Sequence, residues 1–165
     1  MSGEHVTIPL PDGTRLAATL YLPERLPAPC LLEALPYRKD DVTLGYRAEY
    51  EALAGHGYAV CRVDLRGTGS SEGVARDEYP PEETGDLCAV IAWLAARDWC
   101  DGGVGMYGTS YSGFNALNVA AARPPRSGPS ARSTPPTTGT PTTSTTPAAC
   151  PAGWTWSTTP PTWRR

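Results

Sequence analysis

The sequence predicts a layered α/β fold in which an N-terminal β-hairpin leads into parallel strands with flanking helices. Three observations indicate this: short apolar runs alternate with helix-like segments, the connections are short, and the predicted order of elements is βββαβαβα. That alternation is typical of a twisted, mainly parallel sheet with helices on both faces. A chain of 165 residues, 40% of them hydrophobic, suffices for one domain with a core.

The first strands are predicted to form an antiparallel hairpin. Residues 6–10 and 15–22 are apolar or β-branched at many positions, and they flank Asp12-Gly13, a turn pair whose glycine tolerates a positive φ. Two further strands are expected where short apolar runs follow loop residues, at 30–35 and at 58–64.

Two helices are predicted around the strand at 58–64. Residues 46–56 carry Ala, Glu and Leu and end among glycines, as helix C-termini commonly do. Glu82 and Glu83 suit the positive end of the second helix, in which apolar residues follow Leu87 at i+3, i+4 and i+7. That apolar face is expected to cover the sheet.

A glycine-rich segment joins the last predicted strand, residues 103–108, to an Ala-rich helix at 111–122. It reads Gly-Thr-Ser-Tyr-Ser-Gly over residues 108–113 and places Ser110 at the junction. A nucleophile elbow holds its serine at such a junction, and small residues are needed because strand and helix approach closely. The strict G-x-S-x-G pattern is not met, because Ser112 stands at the second glycine. In isolation, a serine that caps the helix explains the segment equally well.

Four motifs occur together in an order and spacing that resemble one group of enzymes. They are Pro-Tyr-Arg-Lys at 36–39, Asp-Leu-Arg-Gly-Thr-Gly-Ser-Ser-Glu-Gly at 64–73, Trp93 with Trp-Cys-Asp-Gly at 99–102, and the segment at 108–113. Over roughly residues 5–125 the chain resembles the cocaine-esterase, glutaryl-acylase and Xaa-Pro dipeptidyl-peptidase group of serine α/β-hydrolases. The resemblance implies a truncated α/β-hydrolase fold, with residues 1–125 as a partial domain of that group.

The resemblance also implies catalytic roles for three residues. Ser110 is the acylated nucleophile, the backbone N–H of Tyr111 is one oxyanion donor, and the Tyr37 hydroxyl is the other. An N–H at a helix N-terminus and a neutral phenol both stabilise a developing oxyanion. Without the family context, a packed core tyrosine is the better interpretation of Tyr37. The implied reaction hydrolyses an ester or amide, including an Xaa-Pro peptide bond, through an acyl-Ser110 intermediate without cofactor or metal.

The partners of a catalytic serine are missing from the sequence. The nucleophile needs a histidine base held by an acid, and in this fold both follow the serine. No His, Asp or Glu follows Asp101, and His5 and His56 are interpreted as a surface residue and a helix C-terminal residue. We therefore expect this chain to be inactive, apart from a residual ~10³-fold acceleration by the oxyanion donors and binding.

The glycine-rich loop at 66–73 is not assigned catalysis. A dinucleotide fingerprint is an alternative there, but Glu72 stands where the third glycine is needed and no helix opens. Asp64 and Arg66 are interpreted as structural ion-pair or turn residues, and Asp86 as a solvated or capping acid.

Composition excludes several classes of function. The net charge of -3 and the pI near 5.4 offer no basic field for nucleic acid. No window holds the ~18 consecutive apolar residues of a membrane span, and no export signal is visible, so a cytoplasmic location is expected. The five cysteines lack a C-x-x-C pair and indicate neither a disulfide framework nor a zinc site; four are expected to be small core residues. The oligomeric state is left open.

The chain changes character after Pro125. Residues 126–165 contain no Asp, Glu or Lys and are dominated by Thr, Pro and Ser, which predicts a disordered tail. A flexible linker and a glycosylated stalk are two interpretations, although a stalk requires a secreted chain. A frameshift is a third. Moved by one base, the codons of residues 136–146 can encode Asp-Asp-Arg-Tyr-Thr-Asp-Asp-Val-His-Tyr, and those of 126–136 can encode a strand-like segment.

Two hypotheses of function follow. The leading one is an acyl hydrolase, here as an inactive fragment, with ester, β-lactam side-chain amide and prolyl peptide all open as substrates. The alternative is a non-catalytic binding or interaction module with a flexible tail, in which case deleting residues 126–165 abolishes partner binding. Because the sheet of the resembled group continues past the elbow, we also expect an open strand edge and an uncovered apolar face after Ala122.

Sequencing the gene around the codon for Pro125 tests the frameshift hypothesis. We expect independent clones to differ from the present frame by one base just after this codon, because the shifted codons can encode a strand-like segment over 126–136 and an acidic, aromatic one over 136–146. An intact frame that encodes the Thr/Pro-rich tail in every clone contradicts the hypothesis.

Overall fold

The computed structural model describes residues 3–41 and 44–122, where it contains eight elements in the predicted order. They are β1 (Glu4–Pro9), β2 (Arg15–Tyr21), β3 (Ala28–Leu35), α1 (Leu44–Gly55), β4 (Ala59–Asp64), α2 (Pro81–Ala95), β5 (Cys100–Met106) and α3 (Tyr111–Ala122). The βββαβαβα order is confirmed. The predicted tail at 126–165 and the proposed frameshift lie outside the described residues.

Strand β5 departs furthest from its predicted bounds, since it begins at Cys100 and not at residue 103. Cys100 and Val104 face the core on alternate positions, so the segment has the period of a strand. Its glycines, Gly102 and Gly103, lack the β-branched side chains by which a strand is recognised in a sequence.

The described strands form one mixed sheet in the order β1-β2-β4-β3-β5. Strand β1 pairs antiparallel with β2, and β2 antiparallel with β4, whereas β3 runs parallel to both β4 and β5. The carboxyl ends of parallel strands meet at one edge of a sheet, which is where open α/β sheets bind ligands. The segments that follow β3, β4 and β5 therefore converge.

Helices cover both faces of the sheet, as predicted. The alternation along β4 shows this: Cys61 and Val63 belong to the larger core cluster with α2 and α3, whereas Val60 packs with Tyr50 of α1. The predicted apolar face of α2 is confirmed, since Leu87, Val90, Ile91 and Leu94 are all buried. Burial of these side chains provides the main free energy that holds α2 on the sheet.

A polar cluster fixes α1 on the other face. The Tyr50 hydroxyl donates to Glu33 Oε2 of β3 at 2.5 Å and accepts from the Arg62 guanidinium of β4. Glu33 and Arg62 are neighbours in the parallel register, so their opposite charges are buried together. Burial and the Glu33 charge raise the pKa of Tyr50. The cluster thus links α1, β3 and β4.

Three cysteines confirm the interpretation as small core residues. Cys30, Cys61 and Cys100 are buried, and burial raises the pKa of each thiol. Cys88 is partly buried against the same core. Among the described residues, no helix has the length and apolar character needed to cross a membrane.

Strand β5 and helix α3 correspond to the expected open edge and apolar face. Within the described residues β5 pairs on one side, with β3, and is the last strand of the sheet. The side chains of Phe114 and Leu117 on α3 are 58% and 67% exposed. Unpaired strand edges and exposed apolar surface both favour association between chains.

Replacing the exposed apolar residues of α3 is expected to improve solubility. The double variant Phe114→Lys/Leu117→Lys removes apolar surface without touching the core, so its soluble fraction should exceed that of the parent chain in a centrifugation assay. Val74→Lys is a matched control, because Val74 is 69% exposed on a loop. A parent chain that purifies as a monomer and melts sharply contradicts this prediction.

Candidate active site

Ser110 lies in a sharp bend between β5 and α3. Its φ is 57°, a left-handed conformation that is uncommon for a residue with a side chain. A Cβ atom on Gly108 would lie 2.0 Å from Ser112 Oγ, and one on Gly113 would lie 3.0 Å from the Gly108 carbonyl oxygen. The close approach of strand and helix that the sequence predicts is therefore present, and glycine is required at Gly108.

Buried polar side chains hold the first turns of α3. The Ser112 hydroxyl donates to the Thr109 carbonyl at 3.0 Å, and the Phe114 N–H donates to the Ser110 carbonyl at 3.0 Å. Asn115 is 2% exposed, and its amide donates to the Ala34 carbonyl of β3 at 3.5 Å. These contacts place Ser110 at the carboxyl edge of the sheet, next to the end of β3.

Tyr111 is the first residue of α3, where backbone N–H groups have no acceptor within the helix. Its hydroxyl donates to Glu83 Oε2 of α2 and accepts from the Tyr79 N–H, both at 3.1 Å. The rings of Tyr79 and Tyr111 stack with centroids 4.1 Å apart. Burial raises the pKa of the Tyr111 phenol to about 12, so it is protonated at neutral pH.

Tyr37 follows β3 by two residues and faces the same edge. Its ring meets that of Tyr111 edge-on, with centroids 6.4 Å apart, and it is 56% exposed. The packed core tyrosine that the sequence favours without family context is therefore absent. The structure brings Tyr37 against Tyr111, the residue that follows Ser110, because the parallel strands β3 and β5 are neighbours in the sheet.

Asp64 connects the loop after β3 with the loop after β4. It is fully buried at the end of β4, where Oδ1 accepts from the Lys39 N–H at 2.5 Å and Oδ2 accepts from the Ser70 N–H at 2.8 Å. Arg38, between Tyr37 and Lys39, has a φ of 65°. The interpretation of Asp64 as a turn residue is confirmed, and its carboxylate stabilises the left-handed turn next to Tyr37.

The interpretation of Asp86 as a solvated or capping acid is wrong. Asp86 is 9% exposed, and both of its oxygens accept from the Arg66 guanidinium, at 2.7 and 2.8 Å. Arg66 also pairs with Asp12 at 2.8 Å, which confirms it as an ion-pair residue. Hydrogen bonds from the Thr14 N–H and the Arg66 guanidinium lower the pKa of Asp12 to about 2. Arg66, the partner of Asp86, lies 20 positions earlier in the chain, so local pattern gives no sign of the pair.

Neither histidine is placed to serve Ser110 as a base. His5 lies on β1, four strands from β5 and hence roughly 19 Å away at ~4.8 Å per strand. His56 follows α1 at the start of β4, at the opposite edge from Ser110, and its Nδ1 lies 2.7 Å from the Ala52 carbonyl. Both are exposed, which confirms the surface and helix C-terminal interpretations.

A cavity of about 250 Å³ opens beside the elbow. Tyr37, Arg66, Glu83 and Tyr111 line it, together with the loop that precedes α2. Glu83 is 8% exposed, and the sequence indicates its place in the first helical turn but not its contact with the site. That contact joins residues 28 positions apart, so no local pattern reports it.

Adding a methyl group at Gly108 is expected to disrupt the bend. Gly108→Ala should destabilise the chain by about 3 kcal/mol in urea unfolding, because its Cβ overlaps Ser112 and its φ is 151°. Gly85→Ala is the control: this helical glycine has free space around it, so alanine should stabilise α2 by up to ~1 kcal/mol. Equal stability of the Gly108 variant and the parent would contradict the close approach.

Comparison with known proteins gives a consistent family assignment. Residues 12–131 match the family X-Pro dipeptidyl-peptidase (S15 family). Cocaine esterase of a Rhodococcus species is 37% identical over 123 residues, which cover 72% of this chain and 21% of that enzyme. Xaa-Pro dipeptidyl-peptidase of Lactobacillus helveticus is 36% identical over 85 residues, covering 42% of this chain and 11% of that enzyme. The chain thus spans about a fifth or less of these relatives.

A solved structure has the same fold. The crystal structure of a CocE/NonD family hydrolase from Staphylococcus aureus superimposes with a TM-score of 0.66, at 24% identity, over 74% of this chain and 26% of that one. The resemblance inferred from the four motifs is confirmed. Because the family match covers well over half of its residues, the chain belongs to the X-Pro dipeptidyl-peptidase (S15) family of serine hydrolases, and its described residues form part of an α/β-hydrolase fold.

Proposed function

We propose that this part of the chain supplies the nucleophile and the oxyanion donors of an acyl hydrolase that cleaves an ester or amide bond. The observation that carries the proposal is the left-handed backbone of Ser110, at a φ of 57°, where β5 feeds α3. A serine in that conformation presents its hydroxyl above the sheet edge and leaves the first N–H groups of the helix facing the same space. The names of the relatives, an esterase and a dipeptidyl-peptidase, support esters and Xaa-Pro peptides as substrates.

The proposed reaction begins with attack of Ser110 Oγ on the substrate carbonyl carbon. The carbonyl oxygen becomes an oxyanion, which accepts hydrogen bonds from the Tyr111 N–H and the Tyr37 hydroxyl. The tetrahedral intermediate then expels the alcohol or amine, which takes up the proton that Ser110 Oγ has lost, and leaves an acyl-Ser110 ester. Water hydrolyses this ester to the acid and free Ser110. The dipole of α3 adds to the stabilisation, because Tyr111 stands at its positive end.

A proton acceptor for Ser110 Oγ is needed in addition. His5 and His56 do not suit this role, so in the proposed enzyme the base and its acid come from a longer chain in another reading frame after Pro125. Residues 1–125 are then a partial domain, and residues 126–165 are a product of the shifted frame. A cytoplasmic location and small-molecule or peptide substrates complete the proposal.

A fluorophosphonate probe tests the role of Ser110 in the 165-residue chain itself. We expect slow labelling of Ser110, located by mass spectrometry of peptides, at about 10³ times the rate of the chain unfolded in urea. The oxyanion donors provide this acceleration without a base. A longer product with the frame shifted after codon 125 should react faster by a further factor of roughly 10³ or more.

Two serine variants serve as the controls. Ser110→Ala should abolish the labelling that exceeds the rate of the unfolded chain, whereas Ser70→Ala removes another exposed hydroxyl and should leave that labelling unchanged. Folded chain that labels no faster than unfolded chain, or labelling that survives Ser110→Ala, sinks the proposed function.

A further inference from the structure

The hydroxyl of Tyr111 has no role in the proposed reaction, which uses the backbone N–H of this residue. The hydroxyl nevertheless has two partners, since it donates to Glu83 Oε2 and accepts from the Tyr79 N–H. We propose that Glu83 is a positioning residue for acyl transfer, and that it holds both oxyanion donors in place through the Tyr111 phenol. This inference rests on the proposed function and adds a residue to it.

The Tyr111 side chain is held at its tip and on its ring. Both hydrogen bonds of the hydroxyl measure 3.1 Å, and the ring stacks on Tyr79 at 4.1 Å between centroids. Tyr79 has a φ of 52°, so its N–H is directed by a left-handed backbone. A side chain with both its tip and its ring fixed also restrains its own Cα, and with it the N–H that follows Ser110.

The same ring lies against the second proposed donor. Tyr37 is 56% exposed, and the aromatic contact that it makes within the described residues is the edge-to-face one with Tyr111. An exposed tyrosine otherwise exchanges between rotamers, which moves its hydroxyl by several ångströms. The Tyr111 ring therefore limits where the Tyr37 hydroxyl lies, and the two donors depend on one phenol.

A buried carboxylate such as that of Glu83 is less favourable than an apolar side chain of similar size if the residue only fills space. Glu83 is 8% exposed, and burying a carboxylate costs free energy that an apolar side chain does not lose. Its position in the first turn of α2 stabilises the charge. Burial raises its pKa, whereas the Asn115 amide and the Tyr111 hydroxyl lower it. Oε1 has no hydrogen bond of ordinary geometry among the described residues, so Oε2 and Tyr111 form the defined contact.

The neighbouring acidic residues of α2 do not contact the Tyr111 hydroxyl in the structure. Asp86, three residues on in α2, is engaged by the Arg66 guanidinium through both oxygens. Glu82 is exposed. In the described part of the chain Glu83 is thus the carboxylate that reaches the Tyr111 hydroxyl.

The rate constant of Ser110 labelling by the fluorophosphonate probe tests the inference in the 165-residue chain. Glu83→Leu and Tyr111→Phe should each lower the maximal labelling rate by roughly 10-fold, with little change in the probe concentration for half-saturation, because displaced donors slow the chemical step. The double variant should be no slower than either single variant, since both remove one interaction. Glu83→Gln keeps an acceptor oxygen and should stay within about 3-fold of the parent.

Glu82→Leu is the matched control on the same helical turn and should label at the parent rate. If Glu83→Leu does not fold, Tyr111→Phe decides, because it keeps the ring and its stacking and removes the hydroxyl alone. Parent-like labelling rates in Tyr111→Phe, or variants that differ from the parent in Tm alone, overturn the positioning role. A parent chain that fails to label Ser110 overturns the proposed function instead, and the positioning role with it.

Discussion

The close approach of β5 and α3 around Ser110 is the constraint on which the rest of the site depends. The two elements come so near that a methyl group at Gly108 would overlap Ser112. The chain turns there by means of a left-handed residue and not a longer loop, so α3 starts directly at the sheet edge. The placement of the Tyr111 phenol against α2 and of Asn115 against β3 follows from that start.

The order of the strands in the sheet brings the other residues of the site together. Because β3 lies between β4 and β5, the segment after β3 is flanked by the ends of both neighbours. Asp64, at the end of β4, therefore reaches the backbone of Lys39, and Tyr37 reaches the ring of Tyr111. Residues that are more than 70 positions apart in the chain meet at this edge without any long connection.

Features encoded by local pattern could be predicted from the sequence. The hairpin, the apolar face of α2 and the glycine-bounded elbow each follow from periodicity or turn chemistry within a few residues. The start of β5 could not be predicted, since Gly102 and Gly103 carry no side chains typical of a strand. The burial of Asp86 and of Glu83 could not be predicted for another reason. Their partners, Arg66 and Tyr111, lie 20 and 28 positions away in the chain.

The backbone conformation of Ser110 also affects the free energy of folding. Glycine adopts a left-handed conformation without the steric penalty that serine meets there, so the unreactive residue is the one that the backbone favours. Folding stability and the proposed chemistry are therefore opposed at this position. Ser110→Gly would therefore relieve the backbone at this bend and at the same time remove the hydroxyl on which the proposed function depends.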